Sequence, residues 1–178
     1  MTYTPFRSST LTRATAEWLR PVPWQLFTTL EFPWNASHKA ASRLFDSLIN
    51  KLERFMRTRV CFLRALENRS KAGERVPVHI HSALACLKPI SPQLVSGIWF
   101  ASVGRPDSKK SDLVEIKPFN SSMNGLDYIV KQIHDPDSEW DIRNVHLFNP
   151  DVKPEPKSDH ASLRSERRWH QQVSMLPA

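Results

Sequence analysis

Glycine, cysteine and long apolar runs are all scarce in this sequence. Its 178 residues include 4 glycines and 2 cysteines, against 14 prolines. So few glycines beside so many prolines favour stiff loops and argue against a glycine-rich phosphate cradle. The P-loop pattern G-x-x-x-x-G-K-[ST] does not occur, which excludes an ATPase motor of that kind.

The cysteines and the apolar segments also limit the class of protein. Cys61 and Cys86 do not form a C-x-x-C pair, and two cysteines alone cannot build a zinc cluster. Both lie in apolar, strand-like segments, which favours buried, reduced thiols. The N-terminus lacks the apolar core of a signal peptide, and no apolar run reaches the length of a membrane span. We therefore expect a soluble, cytoplasmic protein with no membrane partner.

Charge is the clearest compositional bias of the chain. Lysine and arginine total 25 against 18 aspartate and glutamate, which gives a formal net charge of +7. A basic excess of this size favours polyanionic partners, although solvated lysine and arginine side chains explain the count equally well. Hydrophobic residues make up 40% of the chain, enough for one globular domain with a proper core.

Hydrophobic periodicity predicts an α+β domain with a central antiparallel sheet and packed helices. The predicted order is β-α-β-β-α-β-α. The strands are predicted at 24–32, 59–67, 76–86 and 113–119, with a further short strand at 144–148. The helices are predicted to begin at the N-caps Ser37, Ser91 and Ser121 or Ser122. Residues 1–22 are interpreted as a basic N-terminal arm that Trp18 and Leu19 can partly order, 23–150 as the folded domain and 151–178 as a polar C-terminal tail.

A histidine pair is the most informative feature of the predicted sheet. His79-Ile80-His81 lies within an alternating apolar segment that is typical of a β-strand. Residues two apart on a strand point to the same face, so both imidazoles can converge on one metal ion. Two half-buried histidines with no metal are the alternative interpretation.

A second pair lies in a predicted helix. Tyr128 and Lys131 are three residues apart, which puts them on one helix face. A tyrosine with a cation beside it can act as an activated nucleophile. Alone, the pair is equally consistent with the outer face of an ordinary amphipathic helix.

Taken together, these motifs resemble those of HUH endonucleases, in particular the rolling-circle replication initiators with a single catalytic tyrosine. Members of that superfamily carry a strand similar to Phe27-Thr28-Thr29-Leu30, then a histidine pair such as His79 and His81, then a Tyr-x-x-Lys helix such as 128–131. The resemblance covers roughly residues 24–135. It implies the split β-α-β, RRM-like HUH endonuclease fold.

The resemblance also implies metal-dependent nicking of DNA. His79 and His81, with an acidic residue on the preceding strand, would hold Mg²⁺ or Mn²⁺ against the scissile phosphate. Glu67 is the first choice for that third ligand and Glu74 the second. Tyr128 would attack the phosphate and become joined to the 5′ end, while Lys131 would hold metal or phosphate and favour the phenolate.

The implied partner is single-stranded DNA at the replication origin of a plasmid or phage in a bacterial host, with the host's helicase and polymerase. The basic and aromatic candidates for DNA binding are Trp34, Arg69, Lys71, Arg75, Lys109 and Lys110. Two alternatives remain open at this point. One is a non-catalytic nucleic-acid-binding regulatory module of the same fold. The other is a mobilisation relaxase or transposase that uses the same chemistry.

Overall fold

The computed structural model describes residues 10–69, 73–104, 114–121, 125–131 and 139–149. The helices are α1 (Thr10–Leu19), α2 (His38–Met56), α3 (Pro92–Val103) and α4 (Gly125–Val130). The strands are β1 (Leu26–Leu30), β2 (Val60–Arg69), β3 (Arg75–Cys86), β4 (Val114–Pro118) and β5 (Glu139–Arg143). A 3₁₀ turn at Val145–Leu147 follows β5. In these ranges, no helix is both long and apolar enough to cross a membrane.

The five strands form one antiparallel sheet in the order β4-β1-β3-β2-β5. The predicted α+β architecture with a central antiparallel sheet is therefore confirmed. β2 and β3 pair as the long hairpin at its centre, with Glu67 opposite His79 and Ala65 opposite His81. The hairpin therefore brings one carboxylate and two imidazoles together on neighbouring strands.

Helices cover both faces of the sheet. α2 and α3 pack on one face, where Phe45, Phe62 and Trp99 are fully buried. α1 and α4 pack on the other, over Leu63 and other apolar residues of β2 and β3. Burial of each large apolar side chain contributes roughly 1.5–3 kcal/mol to stability. The sheet thus has a core on each side, and α4 is held on the face that carries the histidines.

The predicted start of α2 is confirmed. The side chain of Ser37 accepts a hydrogen bond from the backbone N–H of Ala40 at 3.2 Å, as an N-cap does. Ala41, Phe45 and other apolar residues at helical spacing are buried against the sheet. The helix ends at Arg57, whose backbone is left-handed with φ of 53°. Ser91 caps α3 in the same way and Pro92 follows it, also as predicted.

Part of the predicted N-terminal arm is a docked helix. α1 covers 10–19, and both Ala16 and Leu19 are buried in the core beneath it. The indole of Trp24 donates a hydrogen bond to the carbonyl of Leu19 at 3.0 Å, which fixes the end of the helix. Thr12 and Thr15 are buried as well, so the inward face mixes threonine with apolar residues and shows no clear hydrophobic stripe in the sequence. Residues 1–9 and the tail at 151–178 lie outside the described residues.

The last strand was predicted in the wrong place. β5 covers Glu139–Arg143, and the segment 144–148 predicted as a strand turns away as a 3₁₀ turn. Asn144 adopts a left-handed backbone with φ of 61°, and its side chain donates to the carbonyl of Val60 at 2.8 Å. This contact directs the chain out of the sheet. α4 begins at Gly125, after the predicted cap Ser121; the other candidate, Ser122, lies outside the described residues.

Candidate metal centre

The central hairpin assembles a cluster of three metal-ligating side chains. His79 and His81 project from one face of β3, and Glu67 projects from β2 toward both. Glu67 Oε2 lies 3.4 Å from His79 Nε2 and 3.1 Å from His81 Nε2. The candidate ligand atoms of the three residues all lie within 4.8 Å of one another. The two-residue strand period and the hairpin register together account for this geometry.

Both imidazoles are held in a defined orientation by their other ring nitrogen. His79 Nδ1 donates to the carbonyl of Pro77 at 3.1 Å, and His81 Nδ1 lies 3.1 Å from the hydroxyl of Thr29. The rings are nearly perpendicular, with centroids 4.8 Å apart. Each Nε2 therefore faces Glu67, as is usual for metal-binding histidines with a hydrogen-bonded Nδ1.

The donor set fits a divalent cation. Two imidazole nitrogens and one carboxylate can occupy three positions of a metal ion and leave the others for substrate or water. His81 is buried, whereas Glu67 and His79 are half-buried, so the cluster has one closed side and one accessible side. The three residues can thus hold a metal ion that still reaches an external ligand.

Tyr128 lies directly against this cluster. Its hydroxyl donates to Glu67 Oε2 at 3.1 Å and lies 3.4 Å from His81 Nε2. Its ring packs edge-to-face on the His81 ring at a centroid distance of 4.9 Å. The next two residues, Ile129 and Val130, are buried under α4 and fix the helix on the sheet. A phenol oxygen is thereby held within hydrogen-bond distance of two candidate metal ligands.

Lys131 completes the group of predicted catalytic residues. Its Nζ lies 3.7 Å from the centroid of the Tyr128 ring, a cation–π contact. The ammonium group therefore sits on the ring face and adds positive charge beside the cluster.

The cluster shifts the ionisation of its own members. Burial opposes ionisation of Glu67, but hydrogen bonds from His79 and His81 outweigh it and hold the carboxyl pKa well below its usual range. The pKa of His79 is raised, because hydrogen bonds to Glu67 and Pro77 outweigh the opposing effect of burial. Burial lowers the pKa of His81. Glu67 therefore favours its ionised form, and the pKa values of the two histidines are shifted in opposite directions.

The pKa of Tyr128 is raised, whereas the neighbouring Lys131 was expected to lower it. Burial and the charge of Glu67 raise its pKa to about 12, although a neighbouring cation was expected to favour the phenolate. The reason is geometric, since Lys131 contacts the ring face while Glu67 contacts the hydroxyl. These protein groups by themselves keep the phenol protonated at neutral pH.

The predicted DNA-binding residues are only partly described. Arg69 and Arg75 face each other across the end of the central hairpin, and both are exposed. Trp34 is 45% exposed and its ring contacts Phe32. Lys71, Lys109 and Lys110 lie outside the described residues. Glu74, the second choice for a ligand, is exposed and does not belong to the cluster.

Thr29 is a site residue that sequence reasoning missed. The sequence indicates Thr29 only as part of a strand motif, yet it pairs with His81 across β1 and β3 and contacts the ring nitrogen of His81. The register between strands that are distant in sequence gives no local signal, so the contact could not be predicted from the motif.

Comparison with known proteins identifies no relative, since no family model, curated protein or solved structure matches this chain.

Proposed function

We propose that this protein is a metal-dependent nickase and strand-transferase of single-stranded DNA that initiates rolling-circle replication of a plasmid or phage. One observation carries the proposal: the Tyr128 hydroxyl lies 3.1 Å from Glu67 Oε2 and 3.4 Å from His81 Nε2. A nucleophile and a set of metal ligands thus meet at one point. The split HUH endonuclease fold is part of the proposal, and the central position of the histidine hairpin supports it.

Glu67, His79 and His81 are the residues that would hold the metal. A divalent cation bound there would polarise the phosphoryl oxygens and offset the charge that develops on them. Imidazole ligands suit Mn²⁺ better than Mg²⁺, which prefers oxygen ligands. We therefore expect Mn²⁺ to support the reaction at lower concentrations than Mg²⁺.

Tyr128 supplies the covalent step. Its oxygen attacks the phosphorus in line, so that a bond forms between phosphorus and the tyrosine oxygen as the bond to the 3′-oxygen breaks. The phenol loses a proton and the departing 3′-oxygen gains one, which leaves a free 3′-hydroxyl and a 5′-phosphotyrosine. Attack by a 3′-hydroxyl on that linkage reverses the sequence and transfers the strand. Lys131 holds the ring from its face and places a positive charge near the phosphate.

A covalent-adduct assay tests this proposal directly. The probe is a pool of labelled single-stranded oligonucleotides with a randomised central segment, because the recognised sequence is unknown. With Mn²⁺, the wild-type protein should carry label through denaturing electrophoresis, and Tyr128→Phe should carry none. Tyr3→Phe is the matched control, since the chain has 2 tyrosines, and it should behave as the wild type. An adduct that persists in Tyr128→Phe would overturn the mechanism.

A second variant separates catalysis from DNA binding. His81→Ala removes a buried candidate ligand and should abolish the adduct, while binding to single-stranded DNA stays largely intact because phosphate contacts elsewhere supply the affinity. Wild-type protein that binds the oligonucleotides but never forms an adduct would instead favour a non-catalytic nucleic-acid-binding module.

A further inference from the structure

Thr29 connects a third strand to the candidate metal centre. It lies on β1 opposite His81 of β3, and its Oγ1 is 3.1 Å from His81 Nδ1. The other ring nitrogen of His81, Nε2, faces Glu67 Oε2 at 3.1 Å. The His81 ring therefore has a polar partner at both ends.

The proton of the neutral His81 ring belongs on a different nitrogen when the site is empty than when it holds a cation. A neutral imidazole carries one N–H, so one nitrogen donates and the other accepts. While Nε2 faces the Glu67 carboxylate, the proton belongs on Nε2 and Nδ1 must accept. When Nε2 instead supplies its lone pair to a cation, the proton belongs on Nδ1, which must then donate.

A hydroxyl satisfies both requirements, because it can donate or accept by rotation about its C–O bond. The partner of His79 differs in this respect. The carbonyl of Pro77 can only accept, so it keeps the proton of His79 on Nδ1 in both states. Thr29 is thus the partner that allows its histidine to change tautomer without losing a hydrogen bond.

We propose that Thr29 is a positioning residue that holds the His81 ring and accommodates its change of tautomer when Nε2 binds a metal ion. This inference rests on the metal centre of the proposed function, but it does not depend on DNA cleavage. It assigns a role to a side chain of β1, a strand that supplies none of the three candidate ligands.

Metal affinity tests this role. Thr29→Val keeps the shape of the side chain and removes the hydroxyl, and it should weaken Mn²⁺ binding by roughly 10- to 100-fold, the range found when a group that orients a metal ligand is removed. Thr29→Ser keeps the hydroxyl and should bind Mn²⁺ nearly as the wild type does. Electron paramagnetic resonance of free Mn²⁺ measures the dissociation constants without reference to activity.

Thr28→Val is the matched control for folding. Thr28 is the neighbouring residue on β1, and its hydroxyl bonds Ser82 at 2.7 Å, with neither residue in the metal cluster. It should lower the melting temperature without changing Mn²⁺ affinity. An equal loss of affinity in Thr28→Val and Thr29→Val would reduce Thr29 to a structural role and overturn the inference.

Nitrogen-15 NMR of the imidazoles gives a second readout, because it reports which ring nitrogen carries the proton. In wild-type protein, a diamagnetic divalent ion such as Zn²⁺ should move the His81 proton from Nε2 to Nδ1. An unchanged tautomer, or unchanged Mn²⁺ affinity in Thr29→Val, would contradict the inference even if the wild type forms a DNA adduct. Conversely, weakened binding in Thr29→Val with no wild-type adduct would sustain the inference and refute the nickase.

Discussion

Tyr128 has the surroundings of a hydrogen-bond donor rather than of a phenolate. Its hydroxyl donates to the Glu67 carboxylate, so removing the proton would bring two negative oxygens together. A cation bound by Glu67 would reverse this effect, because it neutralises the carboxylate and attracts the phenolate. Metal binding and activation of the nucleophile are thereby coupled through one carboxylate.

In the metal-free protein, Tyr128 should lose its proton only at high pH. Burial and the charge of Glu67 raise the pKa of Tyr128 from 10.0 to about 12. The ultraviolet absorbance of tyrosinate measures this step, and the difference between the wild type and Tyr128→Phe isolates it. Glu67→Gln should move the step to lower pH, since the carboxylate charge is lost. A difference titration centred on the ordinary pKa of 10.0 would contradict the described contacts.

The same shift affects stability with a definite sign. The folded protein holds the Tyr128 proton more tightly than the unfolded chain does. The resulting contribution to stability is fully present below the ordinary pKa of 10.0 and is lost as the pH rises through about 12.

Lys131 should assist the reaction without being essential to it. Lys131→Ala removes the ammonium group that lies 3.7 Å from the Tyr128 ring centroid. We expect adduct formation to slow by roughly 10- to 100-fold, at or below the cost of losing one charge-stabilising group. Lys131→Arg keeps a cation for the ring face and should slow it less. Rates from single-turnover adduct assays decide the point, and complete loss of the adduct in Lys131→Ala would make the lysine indispensable.

At the scale of elements, the hairpin and α2 were predictable because their signals are local. Ser37 stands before a helical apolar stripe, and the alternation around His79 and His81 specifies one face of a strand. The hairpin register then carries Glu67 to the histidines. By contrast, the pairing of β1 with β3 depends on residues more than 50 positions apart (Thr29 with His81), and no local pattern encodes it.

The elements that prediction missed have weak local signals. β5 covers Glu139–Arg143 at an edge of the sheet. Its charged residues alternate with Trp140 and Ile142, so the segment is only weakly apolar. The apolar segment beginning at Val145 looked more strand-like, but a left-handed Asn144 precedes it. The position of α4 over the cluster was expected only from the family resemblance, since the packing of a six-residue helix is decided by the rest of the fold.

The end of α2 offers a test of local backbone strain. Arg57 holds a left-handed backbone with φ of 53°, a conformation that costs a residue with a Cβ about 1–2 kcal/mol. Arg57→Gly should relieve this cost and raise the free energy of unfolding by about 1 kcal/mol, offset in part by the greater entropy of glycine in the unfolded chain. Urea denaturation measures the change. Arg57→Ala keeps the strained backbone without the guanidinium, so an equal gain there would assign the effect to charge.

At the scale of the whole molecule, the candidate site joins two separately supported parts. The metal ligands belong to the central hairpin, whereas Tyr128 belongs to α4, which packs against α1. The core under α1 and α4 lies on one face of the sheet, and the core under α2 and α3 lies on the other. Loss of packing in the core under α1 and α4 should therefore disturb the position of Tyr128 more than loss of packing in the core under α2 and α3.

Two leucine variants compare the cores. Leu19 of α1 and Leu48 of α2 are both fully buried, so Leu19→Ala and Leu48→Ala should each cost about 2–5 kcal/mol of stability. Leu19→Ala should also loosen α4, slow adduct formation and shift the Tyr128 titration toward pH 10, because the phenol becomes better solvated. Leu48→Ala should lower the melting temperature without either change.

Mn²⁺ affinity completes this comparison. Glu67, His79 and His81 are held by the hairpin, so both variants should bind Mn²⁺ as the wild type does while they remain folded. Measurements well below the melting temperature of the weaker variant keep global unfolding out of the result. The two variants could instead lose adduct formation only in proportion to their loss of stability. In that case α1 would act through overall stability, and its packing against α4 would have no separate part in holding Tyr128.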